Sequence, residues 1–303
     1  MKKYLAVDIG GSKLLVGVVD ENGGIEDVKR MDFTARPTKE AIINGIAGLC
    51  SRLDYSDAAA GGTTVPGLTD PKNGVWLSSP YLGIDSWRIA DELGEKFGIP
   101  FYAENDVRAC AVGEKEFGLC GGIGDFMWIT MSNGVGGALY LDGRLYEGAR
   151  FGAGEIGHIA VEENGEACGC GNRGCLETAA SGRGISEFYR KLTGNSFSAK
   201  EIAALAEKND AAAKKAYERA GKALGKAVSY AVNLLNLDTF VVGGGVAQSY
   251  NLFLPRATEE IGEKVLKSAN PRVNIIYTGL GYYAALKGIA AVAKIKNARQ
   301  EEI

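Results

Sequence analysis

The sequence predicts an α/β fold. Three observations carry this. Short apolar runs alternate with segments of helical periodicity along the chain. A unit of strand, glycine-rich turn and strand occurs twice, at 4–19 and 126–141, each time followed by further α/β elements. A Cys-dense insertion that carries the one histidine of the chain interrupts the second half between Gly154 and Glu177.

The elements follow in order. Tyr4–Val7 and Leu14–Val19 are apolar runs broken by Asp8-Ile9-Gly10-Gly11-Ser12-Lys13, and they read as a hairpin. Thr38–Arg52 has helical spacing with Ile42, Ile43, Ile46 and Leu49 on its apolar face. A Gly/Thr-rich strand then ends at Val65-Pro66-Gly67, Ile89–Phe97 is a short amphipathic helix, and Pro100–Ala103 is a strand. A helix over Val107–Phe117 begins just after Asn105-Asp106. In the second half, strands at Phe126–Met131 and Gly137–Leu141 are joined by Ser132-Asn133-Gly134-Val135-Gly136. Helices are expected near 183–192, 198–208 and 210–237, a strand at Thr239–Val242 ending in Gly243-Gly244-Gly245, a strand at Val273–Tyr277 and a closing helix from Ala284. The expected domains are 1–120 and 121–283, with the boundary within 118–124 and the helix of 284–303 packing back on the first.

At 303 residues the chain can bury a sizeable core. Its hydrophobic content of 46% and formal net charge of −3 favour neither a nucleic-acid nor a membrane partner. The opening Met1-Lys2-Lys3 and the apolar residues after it begin like a signal peptide, but Asp8 and Gly10-Gly11 break the run too early. Six cysteines in a chain of this length do not make a disulfide scaffold, so Cys50, Cys110 and Cys120 read as core thiols and the compartment as a reducing cytoplasm.

Cys168, Cys170 and Cys175 form C-x-C-x4-C, and the one histidine of the chain, His158, stands ten residues before them. Cys3His is a common ligand set for structural Zn2+, and four protein ligands leave no position open for water. The bland alternative is three unrelated thiols in a Gly-rich loop. A metal there would fix His158 and tether Glu177, with Glu155 nearby, which is how polar groups are pre-organised for a small ligand.

Three Gly-rich turns follow strands: Asp8 to Lys13, Ser132 to Gly137, and Gly243 to Gly245. Glycines there let backbone N–H groups approach phosphate oxygens, and a carboxylate such as Asp8 can hold Mg2+ directly or through water. One such turn alone is equally an ordinary hairpin. Three suit a nucleoside triphosphate, although no Walker spacing is present. Asn105-Asp106 before a helix is most simply an N-cap.

Glu155-Ile156-Gly157-His158 followed by C-G-C-G-x-x-G-C-L-E resembles the signature of the ROK family of sugar kinases and sugar-responsive repressors, and the resemblance runs along essentially the whole chain. It implies a two-domain actin-like (RNase H-like) sugar-kinase fold with a zinc-binding insertion at 158–175, nucleotide between the halves, and a homodimer. It implies ATP and Mg2+ at the turns carrying Asp8, Gly10, Gly11, Ser12, Lys13, Asn133, Gly134, Gly243, Gly244 and Gly245. It makes Asp106 the catalytic base, and places Gly67, Asn105, Glu155, His158 and Glu177 at the sugar. A repressor of the family would need a helix-turn-helix ahead of the first turn, for which Asp8 leaves no room, so kinase is expected first and a sugar sensor second. Two stretches depart from the family pattern: Ser132-Asn133 in the second turn, and Tyr81 to Trp87, where Tyr81 replaces an Asn near the sugar. Glucose is ranked first among glucose, N-acetylmannosamine, N-acetylglucosamine, allose and fructose.

Overall fold

A computed structural model gives the fold of residues 1–301. Along the first part of the chain lie β1 (Lys3–Ile9), β2 (Lys13–Asp20), β3 (Ile25–Asp32), α1 (Lys39–Cys50), β4 (Ala58–Val65), β5 (Leu68–Asp70), β6 (Val75–Ser79), β7 (Ile84–Trp87), α2 (Ile89–Phe97), β8 (Phe101–Asn105) and α3 (Asp106–Phe117). The second part holds β9 (Phe126–Met131), β10 (Val135–Leu141), β11 (Arg144–Tyr146), α4 (Leu176–Ala180), α5 (Gly182–Thr193), α6 (Ala199–Glu207), α7 (Ala211–Leu235), β12 (Thr239–Gly243), α8 (Tyr250–Lys264) and β13 (Asn274–Tyr277). The chain closes with α9 (Ala284–Glu301), and the last two positions of the helix expected over 284–303 lie outside the described residues.

The duplication seen in the sequence is a duplication of topology. One sheet runs β3-β2-β1-β4-β8 and the other β11-β10-β9-β12-β13. In each, the hairpin strands pair antiparallel (β1 with β2, β9 with β10), and the first of them pairs parallel with a later strand (β1 with β4, β9 with β12). Residues Tyr4 to Ile9 of β1 are all buried, as expected of a strand covered on both faces. The core of the first sheet joins Leu5, Val7, Val16, Ile42 and Ile46 to Trp76 and Trp87, whose rings stack at 5.8 Å. That of the second joins Ile129, Phe240 and Val242 to Tyr217, Leu224 and Val228 of α7.

Two compact units result: residues 1–122, 147–152 and the stretch from Gly279 form the first, and 123–146 with 153–278 the second. Segment 147–152 and residues 279–283, on the second side of a linear boundary, thus belong with the first unit. Helix α9 packs on α3, and a Cβ on Gly288 would run into the Ala109 carbonyl of α3. Gly288→Ala is therefore expected to destabilise the protein by about 1–3 kcal/mol, the usual effect of overpacking. A urea titration that shows no loss relative to wild type would refute this contact.

The elements that periodicity missed are those that tertiary pairing sustains. Strand β3 is a mostly charged edge held by its ladder to β2. The small sheet β5-β6-β7 is built of short antiparallel strands. Helix α8 contains Pro255, which removes a helical hydrogen bond. Phe253, Ala257 and Ile261 nevertheless recur at four-residue intervals and are buried, with α8 packed on α7.

Candidate active site and metal centre

In the first unit the parallel strands β1, β4 and β8 bring their carboxyl ends side by side, the usual ligand-binding edge of such sheets. The register aligns Asp8 with Thr64, Thr64 with Glu104, and Val65 with Asn105. The Thr64 hydroxyl donates to Asp8 Oδ1 at 2.7 Å. Burial pushes the Asp8 carboxyl above the usual carboxylate range, while the Thr64 bond and the Lys13 charge act against it. A buried carboxylate in that state is one that a cation would stabilise. The turn beyond Asp8 is closed by the Gly10 N–H donating to the Lys13 carbonyl at 2.8 Å, and the Lys13 ammonium lies 4.6 Å from the ring centre of Tyr282. Tyr81 is exposed and rests its ring against Gly11.

Asn105 is the N-cap of α3, as the simple reading expects. Its Oδ1 accepts from the N–H groups of Val107 and Arg108, each at 3.0 Å. Its amide nitrogen remains for other work and donates to the Gly67 carbonyl and to Asp106 Oδ1, both at 3.0 Å. Gly67 has a φ of +108°, and a side chain there would strike the Ser78 carbonyl. Asp106 is the first residue of α3 and half-buried, at the positive end of the helix dipole. Asp8, Gly10, Gly11, Ser12, Lys13, Gly67, Asn105 and Asp106 all belong to this unit and cluster at this strand edge.

In the second unit β9 and β12 are parallel neighbours, so the turn at Ser132 to Gly134 and the turn at Gly243 to Gly245 leave adjacent strand ends. Glu177, in the first turn of α4, accepts from the Val135 N–H at 3.0 Å through Oε2, which ties it to the Asn133-Gly134 turn. Its other oxygen lies 3.7 Å from the exposed Arg183 guanidinium. Glu155 is exposed, and its carbonyl accepts from the His158 N–H at 3.1 Å in a 3-10 turn.

The ligand atoms of His158, Cys168, Cys170 and Cys175 all lie within 4.8 Å of one another. Cys168 Sγ is 3.6 Å from His158 Nδ1, and Cys170 Sγ is 3.7 Å from Cys175 Sγ. Zn–S and Zn–N bonds of the usual length in a tetrahedron put such pairs about 3.6–3.8 Å apart, so the donor set fits zinc. The loop is prepared by its own backbone: Ala160 bridges Cys175, Ala167 bridges Arg173, and the Cys168 N–H donates to the Asn172 carbonyl at 2.8 Å. A hydrogen bond from the Asn172 backbone pulls the exposed Cys170 thiol down to about 7, whereas burial pushes Cys175 up to about 12. Cys50, Cys110 and Cys120 are buried, away from this cluster.

Sequence reasoning missed four partners. Thr64 carries no signal beyond a Thr-rich strand. The Val135 N–H is a backbone group that no side-chain pattern could reveal. Glu104 and Arg108 form an i,i+4 ion pair, a spacing visible in E-N-D-V-R, and both are buried. Among the described residues, no helix is long and apolar enough to cross a membrane.

The ROK family model matches residues 4–296. A glucokinase of Thermotoga maritima is 30% identical over 96% of this chain and 97% of its own length. The Escherichia coli DNA-binding transcriptional dual regulator NagC is 28% identical over 86% of this chain and 67% of its own. Among solved structures, a ROK family glucokinase from Streptomyces griseus in complex with glucose and AMPPNP superposes with a TM-score of 0.86 at 28% identity, covering 97% of this chain and 99% of that one. The fold is thus the two-domain α/β architecture of the actin-like kinases, with a Cys-rich loop able to bind zinc.

Proposed function

We propose that this chain, which belongs to the ROK family, transfers the γ-phosphoryl group of ATP to a hydroxyl of a neutral hexose. The observation that carries the reading is the bond from Asn105 Nδ2 to Asp106 Oδ1, which holds a carboxylate at a helix start on the same strand edge as Asp8. Kinship with two glucokinases, one of them solved with glucose and AMPPNP, supports it.

In this reading Asp106 is the general base. It accepts the proton of the attacking hydroxyl as the new O–P bond forms, while Asn105 orients it and binds a neighbouring hydroxyl. Asp8 would hold Mg2+, which neutralises phosphate charge when bound. The turns at Gly10 to Lys13, Asn133-Gly134 and Gly243 to Gly245 would offer backbone N–H groups to the phosphates. Glu155, Glu177 and His158 would accept from or donate to the other sugar hydroxyls, with Nε2 of His158 available because Nδ1 faces the thiols. The four-ligand cluster would hold a structural zinc whose contribution is to order this loop.

The substrate is expected to be glucose first, ahead of N-acetylmannosamine, N-acetylglucosamine, allose and fructose. A second reading, a sugar-binding regulator without phosphoryl transfer, draws on the similarity to NagC. A coupled assay of ATP turnover over this panel separates the two. The kinase reading expects at least one neutral hexose to give saturable turnover. Sugar and ATP binding with no phosphorylated product from any of them would establish the regulator instead.

A further inference from the structure

Behind the start of α3 lies a set of charged groups that the proposed chemistry does not use. Arg108 is 3% exposed and Glu104 2%, and such burial is costly for a charge unless it is paired. Arg108 Nε stands 3.2 Å from Glu104 Oε1, although not aligned as a hydrogen bond, and Nη2 stands 3.4 Å from Glu104 Oε2. Nη2 also reaches Glu147 Oε1 at 3.3 Å, and Nη1 donates to the Phe151 carbonyl at 3.1 Å. The partly buried Lys296 is anchored by the Pro71 carbonyl at 2.5 Å and adds to the positive charge facing Glu104.

The set leads to the candidate base in short steps. Glu104 Oε1 accepts from the Asn105 N–H at 2.9 Å, the Arg108 N–H donates to Asn105 Oδ1 at 3.0 Å, and Asn105 Nδ2 donates to Asp106 Oδ1 at 3.0 Å. Asn105 is therefore held at two points, by the backbone N–H of Arg108 and, through Glu104, by the Arg108 guanidinium. The segment 147–152 supplies the outer anchors, Glu147 and the Phe151 carbonyl, and belongs to the first unit although the chain on both sides of it belongs to the second.

We propose that Arg108 is a positioning residue for Asp106: its guanidinium, fixed between Glu104, Glu147 and the Phe151 carbonyl, sets the Glu104-Asn105 peptide and thereby the direction of the Asp106 carboxylate. The proposal rests on the kinase reading with Asp106 as base. Arg108→Lys keeps the charge but loses the planar fork. The double variant Glu104→Gln/Arg108→Met removes both fully buried charges together and leaves the half-buried Glu147 and Lys296, of opposite sign, so that the fold is expected to be kept, which a urea titration beside wild type checks. Misplacing a catalytic group by a fraction of an ångström to an ångström lowers kcat roughly tenfold to a hundredfold. Both variants should show that loss while KM for ATP stays within about twofold, because the nucleotide turns are untouched.

Two further measurements separate positioning from simple stabilisation. Combined with Asp106→Asn, Arg108→Lys should cause no additional loss of kcat, since the group it positions no longer acts. Hydrogen exchange at the Asn105, Val107 and Arg108 amides should quicken in the double variant, which reads the proposal whatever the activity. Normal kcat in the folded double variant, losses that multiply with Asp106→Asn, or unchanged exchange at these amides would overturn it. If Asp106→Asn itself leaves kcat unchanged, the base assignment fails, and that result is distinct from a dead Asp106→Asn beside a fully active Arg108→Lys.

Discussion

Asp106→Asn should yield a folded protein that still binds sugar but turns over at least roughly a hundredfold more slowly. The substitution is nearly isosteric. The new side chain can still accept from Asn105 Nδ2 through its oxygen, so the cap and the Gly67 contact of Asn105 survive. What disappears is the proton acceptor. Loss of a negative charge at the start of α3 costs about 0.3–1 kcal/mol in stability, too little to unfold the chain. The measurement pairs steady-state kcat with a calorimetric Kd for the sugar. Near-normal kcat would remove Asp106 from the chemistry, and a lost Kd with lost activity would make it a binding residue.

Protein purified without added metal should carry close to one zinc per chain, and Cys175→Ser should lose it along with at least about tenfold in sugar affinity. Cys175 is fully buried and stands at the N-cap position of α4, two residues from Glu177. Glu177 in turn holds the Val135 N–H beside the Asn133-Gly134 turn. Releasing the metal would free the segment that positions both His158 and Glu177. Structural zinc contributes on the order of 10 kcal/mol to the folding of small metal-bound peptides, comparable with the stability of a whole domain, so the loop should not keep its geometry without it. Cys170→Ser should act in the same direction. Metal analysis of wild type that finds no zinc would dismiss the centre. A metal-free variant that binds sugar as well as wild type would break the link between loop and ligand.

The parts of this protein legible in the sequence are those encoded over short distances. The paired glycine-rich hairpins, the helix beginning at Asn105-Asp106, and C-x-C-x4-C behind a lone histidine are all patterns within a span of about one element or loop. Periodicity, capping and ligand spacing act between residues a few positions apart, so a linear string preserves them. The structure gives each of these the local form expected: antiparallel hairpins, an Asn105 cap, and four ligand atoms gathered within 4.8 Å.

Tertiary structure alone decided the partners. Thr64 reaches Asp8 across 56 residues of sequence, Glu177 reaches the Val135 N–H across 42, and Arg108 reaches Glu147 across 39. None of these pairs leaves a trace in local pattern, because strand register and helix packing bring them together. The same holds for α8, whose burial against α7 outweighs Pro255, and for 147–152, which lies in the first unit with its Phe151 carbonyl bonded to Arg108. Local residue types determined which chemistry the chain carries; the parallel register of β1, β4 and β8 determined which of those groups face one another. The physical reason is that side-chain spacing is a property of a segment, whereas the burial and pairing of charges depend on surfaces that exist only once segments from distant parts of the chain have packed.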